Sequence, residues 1–502
     1  MPDLTTEDFE TYYRAVTSRD SRFDGRFFTG VTSTGIYCRP ICPARTPKPE
    51  NVRFFRVAAA AEAAGFRTCR RCRPDRVPGS PEWNVRADLA ARALRLIADG
   101  ACDTDDGVAG LASHLAVSER HLHRTLVAEL GVGPLTLARS RRAQTARLLL
   151  EATALPVSDV AFASGYSSIR QFNDSVREAF GATPTELRAR AGNPVEGTAV
   201  DGDGALTLRL GYREPFDAEN LFGWLGARTV PGVDEFHDGV YRRALRLPHG
   251  TGVVELSDHP QASSIHVRLT VEDLRDVAVA VRRCRDLLDL DADPGQVNAV
   301  LGADPALAPL VAVRPGLRVP GCVDGFEIAI RAVLGQQISV AAARTLAGRL
   351  VERFGDHNLP LSPFPAAEVL AELGQVDMHD HDHNLGITGK RIETIRALAA
   401  AVADGELTLD RGVDRTETRA ALLAIPGVGP WTADYVALRA FGDPDAFPVG
   451  DLVLRRQAAA IGLPDKESPL TEYAERWRPW RSYATLHLWA SANKSDPSGA
   501  AK

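Results

Sequence analysis

Four cysteines fall in two close pairs, Cys38-x3-Cys42 and Cys69-x2-Cys72, with 26 residues between the pairs. Paired thiolates converge readily on a tetrahedral Zn2+, a metal that favours soft sulfur and takes four ligands in a structural site. The segment between the pairs holds only a small apolar set, so metal ligation would supply stability that its core cannot. The other three cysteines, Cys102, Cys284 and Cys322, stand alone. An odd total in a chain opening Met1-Pro2-Asp3-Leu4, with no basic, apolar leader, speaks against a disulfide framework and for the cytoplasm.

A second chemistry lies in the back half. In Leu422-Leu423-Ala424-Ile425-Pro426-Gly427-Val428-Gly429-Pro430-Trp431-Thr432-Ala433-Asp434-Tyr435, Pro426 ends one helix and Gly427 and Gly429 allow a tight turn. The next helix is expected near Trp431. Exposed N–H groups at such a turn bind phosphate without basic side chains. Twenty residues past Trp431, Phe447-Pro448-Val449-Gly450-Asp451 places a carboxylate after a Pro/Gly loop.

Two further stretches read as paired helices that enter a groove. In Val108–Leu126, Ala112 and Leu115 pack inward and Ser118 caps a helix presenting Arg120 and Arg124. In Val157–Phe180, Gly165 marks the turn, and Ser168, Arg170, Gln171 and Asn173 are placed to reach base edges.

The elements that must position these groups follow from composition. At 502 residues the chain should hold three or four domains. Hydrophobic residues at 44% and charged residues at 25% exclude a disordered or membrane-embedded chain, and no run of about 18 apolar residues appears. The net charge of −6 hides an asymmetry: residues 1–190 carry +5 and the remainder −11, while Arg22–Arg76 alone carries +8. A basic front on an acidic back makes nucleic-acid contact plausible. Residues 77–82 and 191–204 read as linkers. Residues 82–190 read as successive short helices. Period-2 alternation in Leu206–Leu210, Val240–Leu247 and Ser264–Leu269 predicts antiparallel strands, and helices are expected again from about Pro320. The tail from Asn493 is expected to lack order. The Asp-rich run Asp286–Asp293 is expected to be a solvent face, and Asp377–His383 a solvated loop.

Thr34-Gly35-Ile36-Tyr37-Cys38-Arg39-Pro40-Ile41-Cys42-Pro43-Ala44-Arg45 and Ala64-Gly65-Phe66-Arg67-Thr68-Cys69-Arg70-Arg71-Cys72-Arg73-Pro74 resemble the N-terminal domain of Ada-type DNA alkylation-response proteins. The resemblance implies one Zn2+ on Cys38, Cys42, Cys69 and Cys72, with Cys38 taking a methyl group from a DNA methylphosphotriester. Arg39, Arg45, Arg67, Arg70, Arg71 and Arg73 would hold the phosphate backbone. The two helix pairs, closed by Phe180-Gly181-Ala182-Thr183-Pro184, resemble the AraC-type transcription-regulator domain.

The hairpin with Asp451 resembles the helix-hairpin-helix DNA glycosylases. The strand-rich segment from Leu206 and Arg476-Trp477-Arg478-Pro479-Trp480-Arg481 are similar to the AlkA-type 3-methyladenine glycosylase. This implies Asp451 as the catalytic carboxylate and Trp431, Tyr435, Trp489 and Trp224 as base-pocket aromatics, whose π faces attract cationic alkylated purines. Gly427 and Gly429 would grip DNA, and Gln337 stands where that family carries an apolar DNA-inserting wedge. Bifunctional relatives place a Lys where this chain has Trp431, so hydrolysis by water without a Schiff base is implied. No Cys follows Cys322, so no iron–sulfur cluster is expected. No Pro-Cys-His-Arg run is present, so O6-methylguanine transfer is not expected.

The expected architecture is multidomain α+β. A small zinc domain (1–80) precedes an all-α double helix-turn-helix (82–190), an antiparallel-sheet α+β domain (205–315) and an all-α helix-hairpin-helix glycosylase domain (316–492). The expected function is a DNA alkylation-damage response: base excision, methyl acceptance and transcription regulation. Double-stranded DNA is the expected partner, RNA polymerase a further one, and a membrane is not. One rival is a regulator whose glycosylase-like module only binds DNA. Another is a repair enzyme whose regulator part is vestigial.

Overall fold

A computed structural model of the chain describes Phe9 to Ser495 with short gaps, the longest being residues 18–26, 75–87, 191–204 and 374–384. The expected linkers, the Asp377–His383 run and most of the tail from Asn493 lie in or border these gaps, outside the described residues. The chain divides into two compact units, one holding nearly everything to Leu208 and the other nearly everything beyond it.

The first unit opens on a four-stranded sheet, β1 (Phe28–Val31), β2 (Ile36–Cys38), β3 (Val52–Phe55) and β4 (Arg67–Thr68), in the order β3-β1-β2-β4. β1 is antiparallel to both its neighbours, while β2 and β4 run parallel. Phe27, Phe54 and Val52 pack with Tyr12 on one side, and Phe28, Tyr37, Phe55 and Phe66 on the other. These small aromatic clusters are the apolar support that the cysteine segment has.

Helices follow. Gly107–His114 and Glu119–Leu130 form the first pair, and Val157–Ala163 and Ile169–Phe180 the second. Between them runs Pro134–Ala152, a 19-residue helix rather than a short one. Its apolar residues Leu137, Ala138, Ala146, Leu149 and Leu150 are all buried, so packing along its whole length sustains it. Ser118 and Ser168 each cap their helix, their hydroxyls accepting from the N–H of His121 and Gln171 at 3.2 Å. Gly131 and Gly181 end those helices in the left-handed conformation. Thr183 and Glu186 form a reciprocal capping box for Pro184–Arg190.

In the back half, β5 (Leu206–Gly211), β6 (Asp234–His237), β7 (Val240–Leu247), β8 (Gly250–His259) and β9 (Ser264–Val271) form one sheet in the order β5-β9-β8-β7-β6. Leu206, Leu208 and Leu210 turn inward, as do Val254 and Leu256, and Ile265, Val267 and Leu269, the period of a one-sided sheet. β6 and β8 were not expected. Helices resume at Val277–Leu287, Pro294–Leu301 and Ala308–Val313, earlier than Pro320.

The Asp286–Asp293 run is not a solvent face. Asp286 pairs with Arg411 at 3.0 Å, and Asp291 pairs with Arg285. Asp289 accepts from Tyr483 at 2.7 Å, and Asp293 caps Pro294–Leu301 while pairing with Arg213 at 3.1 Å. Asp286, Asp289 and Asp293 tie this segment to distant elements, while Asp291 pairs locally, and this pairing is why the run is drawn inward. Among the described residues, no helix is long and apolar enough to cross a membrane.

Candidate functional site

The zinc residues are delivered by two parallel strands. The register pairs Tyr37 with Thr68, and the Cys69 N–H donates to the Tyr37 carbonyl at 3.0 Å. Cys38 and Cys69 therefore leave the sheet at the same end. Cys42 and Cys72 follow within a few residues, and all four sulfurs lie within 4.8 Å of one another. Cys42 Sγ is 3.7 Å from Cys69 Sγ, near the edge of about 3.8 Å for a tetrahedron with ~2.3 Å metal–sulfur bonds.

The four thiols perturb one another strongly. Hydrogen bonding to Cys42, then to Cys69 and Cys72, pushes Cys38 well above the usual thiol range, while the bond to Cys38 pulls Cys42 down to about 7. Sulfurs this close cannot all be thiolates without a cation among them, and one Zn2+ fits that demand.

The basic residues expected beside this cluster divide. Arg45 and Arg67 are exposed. Arg39 is not presented to solvent: it is 8% exposed, its guanidinium turned to the Cys72 carbonyl at 3.5 Å and its N–H to Cys72 Sγ at 3.3 Å. Proximity to electron-rich sulfur and a carbonyl explains this inward turn. Arg70, Arg71 and Arg73 lie outside the described residues. On the helix pairs, Arg120, Arg124, Ser168, Arg170 and Gln171 are exposed on their helices, with Asn173 half-buried.

The hairpin joins Arg415–Ala424 to Pro430–Arg439. Gly427 has φ +88°, and a Cβ there would lie 2.1 Å from Thr394 Oγ1, so both conformation and space require glycine. Asp451 caps the helix Leu452–Ala460, its Oδ1 accepting from the Leu454 N–H at 2.8 Å. Two indoles donate to the same carboxylate, Trp431 Nε1 to Oδ2 at 3.0 Å and Trp489 Nε1 to Oδ1 at 3.1 Å. Tyr435 stacks on Trp431 with centroids 5.4 Å apart at 20°, and its ring is 6.3 Å from Trp489. Asp451, Trp431, Tyr435 and Trp489 are thus brought together from three helices.

Trp224 does not join them as a free aromatic face. Arg228 Cζ lies 3.9 Å and Arg439 Cζ 4.2 Å from its ring centroid, so its ring is already engaged by two guanidiniums. The stacking of Arg on aromatic rings is what sequence reasoning could not foresee, because Arg439 is more than 200 residues away.

Gln337 is exposed, with φ +59°, on the turn after Gly325–Leu334. Its neighbour Gln336 donates from Nε2 to the Gly427 carbonyl and to Thr432 Oγ1, both at 3.0 Å, and Arg391 donates to the Gln336 carbonyl. The turn carrying Gln337 is therefore tied to the hairpin. These ties were missed: nothing local in Gln336-Gln337 distinguishes the anchored residue from the projecting one.

Four protein families match successive parts of the chain. They are the metal binding domain of Ada (residues 11–75), a helix-turn-helix domain (111–190), the AlkA N-terminal domain (207–324) and the HhH-GPD superfamily of base excision DNA repair proteins (330–482). The probable bifunctional transcriptional activator/DNA repair enzyme AlkA of Mycobacterium tuberculosis (strain H37Rv) is 54% identical over 492 residues, 97% of each chain. DNA-3-methyladenine glycosylase 2 of Escherichia coli is 34% identical over 282 residues, 56% of this chain and 95% of its own. The solved 3-methyladenine DNA-glycosylase of Archaeoglobus fulgidus superposes with a TM-score of 0.50 at 24% identity, covering 58% of this chain and 99% of its own, which shows the shared fold. The zinc-domain match and the four clustered sulfurs together make this a one-Zn2+, four-cysteine domain. The chain belongs to the family of bifunctional transcriptional activator/DNA repair enzymes of the AlkA type.

Proposed function

We propose that this protein excises alkylated purines such as 3-methyladenine from DNA by simple hydrolysis, accepts a methyl group from DNA methylphosphotriesters on Cys38, and regulates transcription through its paired helices. It would act in the cytoplasm, with RNA polymerase as the partner of its regulatory half. The observation that carries the enzymatic reading is the Asp451 carboxylate, fixed by the Trp431 and Trp489 indoles beside a glycine hairpin.

A flipped nucleotide would place its sugar at Asp451 and its base against Tyr435 and Trp489. As the C1′–N9 bond breaks, its electron pair leaves with the base and the sugar gains oxocarbenium character. The Asp451 carboxylate would stabilise that cation and orient the attacking water. Gly427 and Gly429 amides would hold the backbone, and Gln337 would enter the space the base vacates.

At the other site, bound zinc would keep the sulfurs as thiolates at neutral pH. Cys38 sulfur would bond the methyl carbon while the methyl–oxygen bond breaks, its pair passing to the phosphodiester. Arg45, Arg67 and Arg71 would bind flanking phosphates. Arg120, Arg124, Arg170 and Gln171 would enter successive grooves.

Incubation with DNA bearing 3-methyladenine and methylphosphotriesters tests both halves. Release of free base over many turnovers and one methyl on Cys38 are expected. A wild-type chain that releases no base would leave the rival reading, a regulator that only binds DNA. Methyl acceptance by C38S with zinc retained would refute the assignment of Cys38.

A further inference from the structure

Gln336 and Gln337 sit in the turn between the helices Gly325–Leu334 and Val340–Phe354. Both ends of this turn are anchored. Leu334 is fully buried before it, and Ile338 packs on the core after it. The Ser339 hydroxyl caps the second helix, accepting from the Ala342 N–H at 3.2 Å. Between these anchors Gln337 takes φ +59°, a left-handed conformation that is costly for a residue with a Cβ. Such a conformation persists only where its surroundings hold it.

Gln336 is held from three directions. Its Nε2 donates to the Gly427 carbonyl and to Thr432 Oγ1, both at 3.0 Å, so both amide hydrogens are used. A carbonyl can only accept, which places the nitrogen of the amide on this side. The Gln336 carbonyl in turn accepts from Arg391, on the helix Gly389–Ala403. That helix also backs the hairpin, because Thr394 leaves no room for a Cβ at Gly427. Thr432 is buried on the helix Pro430–Arg439, next to Trp431, whose indole holds Asp451. One residue thus joins the exposed turn, the glycine hairpin and the helix that steadies the carboxylate.

The chemistry of Gln337 makes these ties matter. An alkyl side chain entering a base stack is favoured by the burial of its own surface. A primary amide gains little there and gives up water. Its hold on the gap must come from a backbone fixed in advance.

We propose that Gln336 is a positioning residue: it locks the turn to the hairpin, so that Gln337 is already in place to fill the duplex as the base is extruded. The proposal rests on the reading of Gln337 as the inserted residue, and adds what lets a polar side chain serve there. Gln336 acts through Gln337 and not on the reacting atoms. Its contribution is therefore large where a base must be unpaired and unstacked, and small where the base is already loose.

The test uses the full-length protein and 7-methylguanine, either paired with cytosine in a duplex or unpaired in a single-nucleotide bulge, under single-turnover conditions. The readout is the ratio of the paired rate to the bulge rate, with thermal unfolding measured alongside. Q336M keeps the length of the side chain and removes its donors. In Q336M the ratio is expected to fall about 5- to 100-fold, the range for losing two hydrogen bonds. T432V, which removes one of the two acceptors, should give a smaller fall in the same direction, and it carries the test should Q336M not fold. Q337A should itself lower the ratio, and adding Q336M or T432V to Q337A should lower it no further. A ratio unchanged within about twofold in the folded variant overturns the proposal, as does an equal fall with and without Gln337. A ratio unchanged in Q337A overturns the reading of Gln337 on which the proposal rests. Release of base from neither substrate by the wild type overturns the reading of the excision site.

Discussion

Replacing Asp451 with Asn isolates charge from shape. Three donors converge on the carboxylate: the Leu454 N–H at 2.8 Å and Trp489 Nε1 at 3.1 Å on Oδ1, and Trp431 Nε1 at 3.0 Å on Oδ2. An Asn side chain can keep its oxygen toward Leu454 and Trp489, and Asn caps a helix as well as Asp does. Its amide NH2 would then face the Trp431 indole, donor against donor. One unpaired, half-buried donor costs about 1–3 kcal/mol at most, so the protein stays folded. The effect on chemistry is larger. A unit charge about 4 Å from an oxocarbenium carbon, at an effective dielectric near 20, is worth about 4 kcal/mol, or roughly 10³ in rate. The assay is single-turnover release of 3-methyladenine, with thermal unfolding and binding to abasic-site DNA measured alongside. D451N should lose about 10³ in rate while binding and folding persist. A loss below about tenfold, or one matched by the loss of DNA binding, would refute the electrostatic role of Asp451.

Other consequences follow from the same geometry. G427A, with φ +88° and a Cβ 2.1 Å from Thr394 Oγ1, should displace the hairpin and weaken duplex binding, measured by fluorescence anisotropy against wild type. C72S should release zinc and abolish methyl acceptance, while base release, carried by residues of the other compact unit, should persist; metal analysis and the excision assay check this. His487 is buried, and desolvation lowers it to about 4. The unfolded chain, with an ordinary value near 6.5, takes up its proton first as pH falls. The stabilisation is therefore full above about 6.5 and is lost progressively down to about 4, some 3 kcal/mol in all. Denaturant titrations between pH 7 and 4 should show a shallower decline for H487Q than for wild type.

The sites were legible where identity and short spacing decide. Four soft ligands in two pairs specify a metal whatever the surrounding fold, and the parallel pairing of β2 with β4 supplies only the convergence. Ser118 was legible as a cap because capping is local; Ser168, read only among the residues reaching base edges, also caps its helix. Asp451 and Trp431 could be linked by resemblance, yet the indole hydrogen bonds that hold the carboxylate need Trp489, 38 residues further on. Legibility failed where a long-range partner decides a side chain's fate. Asp286, Asp289 and Asp293 read as solvent-facing until Arg411, Tyr483 and Arg213 are brought to them. Trp224 read as a base platform until Arg228 and Arg439 engage its ring, and Arg39 as a phosphate contact until Cys72 draws it in. β8 was not among the expected strands, although Gly252, Val254 and Leu256 keep the strand period.

The central claim is that one chain both removes damaged bases and records backbone methylation. It is tested most directly by a single reaction of zinc-loaded full-length protein with methylated duplex DNA. Released base is quantified by chromatography, and the protein is analysed by peptide mass spectrometry. The account predicts 3-methyladenine released well in excess of protein, together with one methyl group per chain located on Cys38. Free base absent while Cys38 is methylated, or methyl on Cys42, Cys69 or Cys72 instead, would contradict it.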